Sequence, residues 1–110
     1  MPTRPSVALN VDKDLFGGFI RLHILHHAAE GPIYGQWIME ELARHGYKLS
    51  AGTLYPLLHG LEKKGYLRSK LKKAERTARR EYRATAQGKK ALVNARKKAR
   101  ELFGELFDQE

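Results

Sequence analysis

Ser50, Thr53, Tyr55, His59, Lys63 and Lys64 fall within one stretch, Ser-Ala-Gly-Thr-Leu-Tyr-Pro-Leu-Leu-His-Gly-Leu-Glu-Lys-Lys-Gly, residues 50–65. They supply hydroxyls, an imidazole and two amines, with no nucleophile motif and no carboxylate pair among them. The chemistry open to such a set is hydrogen bonding and charge neutralisation rather than bond breaking. Thr and Tyr hydroxyls bond phosphate oxygens, the Thr methyl suits thymine, and lysines displace the counterions of a polyanion.

These groups share a surface only if a helix carries them. Leu54, Leu57, Leu58 and Leu61 recur at i, i+3, i+4 and i+7, one face of a helix, and leave the polar set on the other. Ser50 is the expected N-cap, its hydroxyl accepting from one of the first free N–H groups. Gly65 is the expected stop. Pro56, on the polar face, lacks an N–H, which costs about 3 kcal/mol in a helix interior. A helix starting at Ser50 loses the bond to the Gly52 carbonyl; one starting at Thr53 loses nothing. Either way, the opening turn from Ser50 to Thr53 is expected to be irregular or loosely wound, with its hydroxyls splayed outward. The plain alternative is a core helix with a badly placed proline.

The other candidates for chemistry are weaker. His23 and His27 are four residues apart and could share a metal ion. The sequence shows no obvious third ligand, no cysteine and no intervening HExxH glutamate. Helix packing near an interface is the simpler fate of His23, His26 and His27, so no metal is assigned. The chain has no glycine-rich phosphate loop and no cysteine, so thiolate catalysis, disulfides and cysteine-ligated metals are excluded. Neither a catalytic residue nor a cofactor is expected.

Charge is unevenly placed. Of the net +9 over 110 residues, +8 lies between Lys63 and Arg80, leaving +1 for the remainder. A basic patch directly after the polar helix is the footprint of a polyanion partner; a lysine-rich loop kept for solubility would have no reason to be so concentrated. No apolar run reaches the length of a membrane span, and Met-Pro-Thr-Arg-Pro-Ser has no signal-peptide core. A cytoplasmic location is expected.

The elements that must position the polar helix follow from the rest of the pattern. Residues 1–11 read as a flexible arm. Asp12 or Asp14 caps a first helix running to about Ala29, with a stripe of Leu15, Phe16, Phe19, Ile20, His23, Ile24 and His27. A second helix is expected from about Tyr34 to His45, ending at Gly46, with Tyr34, Trp37, Ile38, Leu42 and His45 on one face and a Glu40–Arg44 pair on the exposed side. A short connection into the Ser50 helix makes a helix-turn-helix, whose second helix enters the major groove. From Tyr66 to Leu71 the period changes to strand alternation, and Arg79 to Ala84 returns as a second strand. The long cationic tip between them, Lys72 to Ala78, has no Gly or Pro and is expected to be mobile without DNA. After a cap at Thr85, a long helix to about Phe107 carries a heptad seam of Leu92, Ala95, Ala99, Leu102 and Leu106, widened by Phe103 and Phe107. So long a helix needs a partner as well as its own first helix, and a second copy is the simplest. Phe16 and Phe19 join the seam in this shared core. The fold class is therefore mainly α with a small β-hairpin: a winged helix-turn-helix over residues 12–84 and a dimerisation helix over 85–110.

With these residues in view, the chain resembles the PadR family of transcriptional regulators. The match runs from about Phe19 to Gly88: Ile-Arg-Leu-His-Ile-Leu at 20–25, Glu-Gly-Pro-Ile-Tyr-Gly at 30–35, Leu49 to Leu67 with its Gly-Thr-Leu-Tyr-Pro core, then Tyr-Arg-Ala-Thr at 82–85 and Gly88. The resemblance implies a homodimer, usually a repressor on an inverted-repeat operator, and in some members a small aromatic or drug-like effector. Trp37, Phe16 and Phe103 are the candidates for an effector cavity at the dimer interface, although aromatic stripes more commonly mean core packing. Two departures stand out: Thr77-Ala78 precede Arg79-Arg80 where the family's wing tip often has Gly, and Ala84 replaces the usual leucine.

The expected DNA contacts are Tyr34, Ser50, Thr53 and Tyr55 at groove edges and phosphates with Pro56 on the same face, His59, Lys63 and Lys64 at the far end of the helix, and Lys70, Lys72, Lys73, Arg76, Arg79 and Arg80 on the wing, with double-stranded DNA as partner. The rival from another class is a dimeric architectural protein that binds nucleic acid without sequence preference. The Gly-Thr-Leu-Tyr-Pro helix argues against it.

Overall fold

A computed structural model describes residues 12–74 and 76–108; the expected N-terminal arm lies outside them. The element order is α1 (Lys13–Glu30), β1 (Ile33–Tyr34), α2 (Gly35–Arg44), α3 (Ala51–Lys63), β2 (Leu67–Lys73), β3 (Ala78–Ala84) and α4 (Ala86–Phe107). Asp12 caps α1, its carboxylate accepting from the N–H groups of Asp14 and Leu15 at 3.1 Å each.

Helices α2 and α3 end in the same way. Gly46 and Gly65 take positive φ (93° and 87°), and the next residue's N–H reaches back to the carbonyl five positions earlier: Tyr47 to Leu42 and Tyr66 to Leu61, each at 2.9 Å. This Schellman-type closure satisfies carbonyls the helix leaves free. The expected stops are thus borne out at both glycines.

The core lies between the helices and the sheet. Ile20, Ile24, Leu25 and Ala28 of α1 meet Ile38 and Leu42 of α2, Leu54, Leu58 and Leu61 of α3, and Leu67, Tyr82 and Ala84 of the hairpin. The leucine face of α3 packs as its spacing predicts. The expected α1 and α2 faces are only partly buried: Leu15, Phe19 and Trp37 are exposed. Helix α4 supplies little to this core; Leu92 packs against its edge.

Four local expectations are corrected. The sheet has three strands in the order β1-β3-β2, because Ile33 pairs with Tyr82 and Tyr34 with Glu81. Two residues are too short for alternation to signal a strand. Tyr34 is accordingly extended, and α2 begins at Gly35. The hairpin strands run to Lys73 and from Ala78, so the tip is four residues long, with the Ala74 N–H bonded to the Thr77 carbonyl at 2.9 Å. Arg44 pairs with Glu41 at 3.6 Å, and Glu40 instead accepts from Gln36 at 2.9 Å.

Candidate nucleic-acid interface

Helix α3 begins at Ala51 and is regularly wound from its first turn: the N–H groups of Thr53 and Leu54 both reach the Ser50 carbonyl, at 3.0 and 2.9 Å. The expected loose opening turn is absent. Pro56 stands inside the helix, so the Gly52 carbonyl has no helical donor. Both residues are exposed, which leaves that carbonyl open to water or a ligand. Burial of Leu54, Leu58 and Leu61 on the opposite face holds the turn despite the missing bond. Ser50 is at the N-cap position, but its hydroxyl makes no cap bond; it donates to Thr53 Oγ1 at 3.3 Å. The hydroxyl pair therefore stays together at the helix start, beside N–H groups that the side chain leaves free.

Along the outward face, Pro56, His59, Lys63 and Lys64 are exposed and Thr53 is half-buried. Tyr55 departs from the simple picture. Its ring lies against the Cα of Gly35, where any added Cβ would collide with the phenol. Its hydroxyl thus sits at the start of α2, and Gly35 is the residue that admits it.

The wing carries its charge under strain. Lys72 lies directly across from Arg79, and Arg68 from Arg83. Like charges facing each other across strands are destabilising, and a polyanion relieves the repulsion. Among the described residues, no carboxylate oxygen lies within 4 Å of Lys70, Lys72, Lys73 or Arg76. Arg80 and Arg79 are held. Arg80 donates to Ser69 Oγ at 3.2 Å, and Ser69 donates to Glu62 of α3 at 2.7 Å, which ties wing to helix. The Arg79 guanidinium stands 4.0 Å from the centre of the Tyr34 ring, a cation–π contact.

Behind Tyr34 is Glu81, which the sequence reading missed. It is 3% exposed. The Tyr34 hydroxyl donates to it at 3.2 Å, and Arg83 Nε donates at 3.4 Å. Burial pushes its carboxyl up, but the Tyr34 hydrogen bond and the Arg83 charge outweigh this and hold it below the ordinary carboxylate range. Glu81 therefore anchors Tyr34, and through Tyr34 the position of Arg79. The available signal was its place between Arg79 and Arg83 at strand spacing.

The seam residues expected to pair two copies flank an open groove between α1 and α4. Leu15, Phe19, Leu22, Ala95, Ala99 and Leu102 line it, and Leu102, Phe103, Leu106 and Phe107 are 41–58% exposed. The expected effector set is not brought together. Trp37 packs edge-on to His27 at 5.2 Å, Phe16 lies against Phe19 and Tyr47, and Phe103 against Phe107. Of the three, Phe103 alone lines the adjoining cavity of about 750 Å³ between α1 and α4.

A helix-turn-helix whose second helix turns a polar face outward, followed by a basic antiparallel hairpin, defines a winged helix-turn-helix protein. The model of the PadR-like family of transcriptional regulators matches residues 24–94. The chain belongs to this family, which makes it a DNA-binding regulator and not an enzyme. It is 51% identical over 88 residues to transcriptional regulator Rv3488 of Mycobacterium tuberculosis (strain ATCC 25618 / H37Rv), covering 80% of this chain and 82% of that protein. Among solved structures, a PadR family transcriptional regulator from Eggerthella lenta DSM 2243 matches with a TM-score of 0.76 at 30% identity, over 87% of this chain and 85% of that one. A PadR-like regulator from Bacillus cereus strain ATCC 14579 shares the fold with a TM-score of 0.79 at 22% identity, over 87% and 95% of the two chains. No helix among the described residues is long and apolar enough to cross a membrane.

Proposed function

We propose that the chain acts in the cytoplasm as a dimeric repressor on an inverted-repeat operator. In this reading α3 enters the major groove. Ser50 and Thr53 meet base edges and phosphates at its start, and Tyr55 meets the backbone near the start of α2. Tyr34, expected there as a hydroxyl donor, donates to Glu81 and serves the backbone by holding Arg79. His59, Lys63 and Lys64 reach phosphates at its far end. Lys70, Lys72, Lys73 and Arg76 contact the flanking backbone, with Arg79 and Arg80 beside them on the returning strand. The observation that carries the reading is the pairing of like charges across β2 and β3 beside a polar helix face. A wing built only for stability would not place Lys72 opposite Arg79.

The dimer is supported by the apolar surface left on α1 and α4. Helix α4 spans about 33 Å at 1.5 Å per residue, and its C-terminal half has exposed Leu102, Phe103, Leu106 and Phe107. Exposed apolar surface of this extent marks an association site, and a two-fold dimer covers it with a copy of itself. A small aromatic effector would act at this seam, against Phe19 and Phe103; Trp37 and Phe16 do not line the cavity there.

Selection of bound sequences from random duplex DNA tests the whole reading. The expected result is an inverted repeat with half-sites about one helical turn apart, near 34 Å. Recovery of a single half-site refutes the dimer, and recovery of no preferred sequence refutes specific repression.

A further inference from the structure

Four of the five histidines, His23, His26, His27 and His45, gather where the end of α1 meets α2. The DNA-binding function uses none of them. We propose that His26, His27 and Glu30 form a binding site for a divalent transition-metal ion of the zinc class, oriented by Glu41.

The three ligand atoms lie within 4.8 Å of one another. His26 Nε2 is 3.4 Å from one Glu30 carboxylate oxygen, and His27 Nδ1 is 3.9 Å from the other. Zinc–nitrogen and zinc–oxygen bonds of about 2.0–2.1 Å place neighbouring tetrahedral ligands about 3.3 Å apart. The first separation already matches this, and small side-chain rotations of the exposed His26 and Glu30 close the others. Spacing alone pairs His23 with His27 and offers no third ligand. Helical geometry instead puts His26 and Glu30 one turn apart, with His27 beside them.

The groups behind His27 support the same site. His27 Nε2 faces a Glu41 carboxylate oxygen at 3.5 Å. A carboxylate on that side favours a ring proton on Nε2, which would leave the lone pair on Nδ1, the nitrogen that faces Glu30. A carboxylate behind the far nitrogen is the usual support of a metal-ligating histidine. The His27 ring is further held by the edges of Trp37, at 5.2 Å, and His26, at 5.0 Å. Glu41 is itself fixed by His45 at 3.1 Å and Arg44 at 3.6 Å. Two imidazoles and one carboxylate suit zinc, nickel or copper; magnesium and calcium require oxygen ligands. Three protein ligands leave a position open to water. Because Glu41 lies on α2, occupancy would brace α1 against the helix-turn-helix.

Calorimetric titration of zinc chloride into the chelator-treated full chain tests the proposal. One ion per chain is expected. His26→Ala and Glu30→Gln should each weaken uptake by at least about tenfold, and Glu41→Gln by about 10- to 100-fold, with unchanged helical circular dichroism. In imidazole NMR spectra, zinc should move the His26 and His27 signals and leave His59 in place. Absence of saturable uptake, equal uptake by the ligand variants, an equal response to magnesium, or shifts confined to His23 and His45 would each overturn the assignment.

Discussion

Replacing Lys72 by Thr separates what the wing's charge does for DNA from what it does to the fold. Lys72 stands directly opposite Arg79, but Tyr34 lies on the far side of β3 from β2, so the Arg79 contact over its ring draws the guanidinium away from Lys72. Removing Lys72 therefore relieves a cross-strand repulsion of at most a few tenths of a kcal/mol, against the loss of its attraction to Glu81. Threonine preserves the strand preference of the position, so the gain is not masked by a weaker strand. For a domain of this size it corresponds to a rise in melting temperature of no more than about 1–3 °C. On DNA the same change should remove one phosphate contact. The slope of log affinity against log salt should fall by about 0.9, and by about 1.8 when Lys73→Ala is added. The loss should be the same on operator and on random duplex, because phosphate contacts carry no sequence information. Thermal melts and fluorescence anisotropy at four or five salt concentrations read both effects from one preparation. A lower melting temperature with an unchanged salt slope would show that Lys72 is a structural residue, and the wing would lose its proposed role.

Other consequences can be checked with single variants. Thr53→Ala should reduce discrimination between operator and random duplex by about 1–3 kcal/mol in a competition gel shift, with the salt slope unchanged; equal loss on both duplexes would remove Thr53 from base reading. Leu102→Glu combined with Phe103→Glu should sediment as a monomer at micromolar concentration, and an unchanged mass would reject the α1–α4 interface. Gly88→Ala should destabilise the chain by about 1–3 kcal/mol, because its Cβ would press on the Tyr66 backbone carbonyl, whereas at Gly104 the nearest atom is an Asp108 carboxylate oxygen 3.5 Å away and Ala should be neutral or mildly stabilising. The lowered carboxyl of Glu81 contributes stability that is full above its ordinary value of 4.5 and is lost as pH falls below it. Glu81→Gln should flatten that acid limb in pH-dependent melts.

The parts of the fold legible in the sequence were those set by period and by punctuation. Leucine spacing located α3 and its buried face, and Gly46 and Gly65 marked helix ends because a positive φ is easy for glycine alone. What escaped was set by partners distant in the chain. Ile33 and Tyr34 become a strand only because β3 offers an edge nearly fifty residues later, a pairing no local pattern encodes. Spacing places Tyr55 on the polar face of α3, but that its ring is received by Gly35 of α2 is a contact no local pattern encodes. Glu81 was hidden among arginines, and its burial depends on Tyr34 arriving from β1. The histidines illustrate the same limit: spacing suggested His23 with His27, whereas the side-chain directions bring His26, His27 and Glu30 together.

The joint between α3 and α4 decides how a dimer would present two reading helices. Thr85 Oγ1 donates to the Gly65 carbonyl at 2.6 Å and accepts from the Gly88 N–H at 2.9 Å, while its own N–H bonds the Tyr66 carbonyl at 3.0 Å. One residue thus caps α4 and holds the last turn of α3, and Gly88 lets the two backbones touch. Any rotation of α4 in a dimer seam must therefore carry the end of α3 with it. The separation of the two groove-entering helices would then follow from how two α4 helices cross, and a change at Thr85 should loosen half-site spacing before it weakens either half-site. Thr85→Val keeps the shape and removes the hydroxyl's bonds. It should tolerate operators with one base pair inserted at the centre better, relative to the native spacing, than the unmodified chain does. If both proteins reject the insertion equally, the joint does not set the spacing.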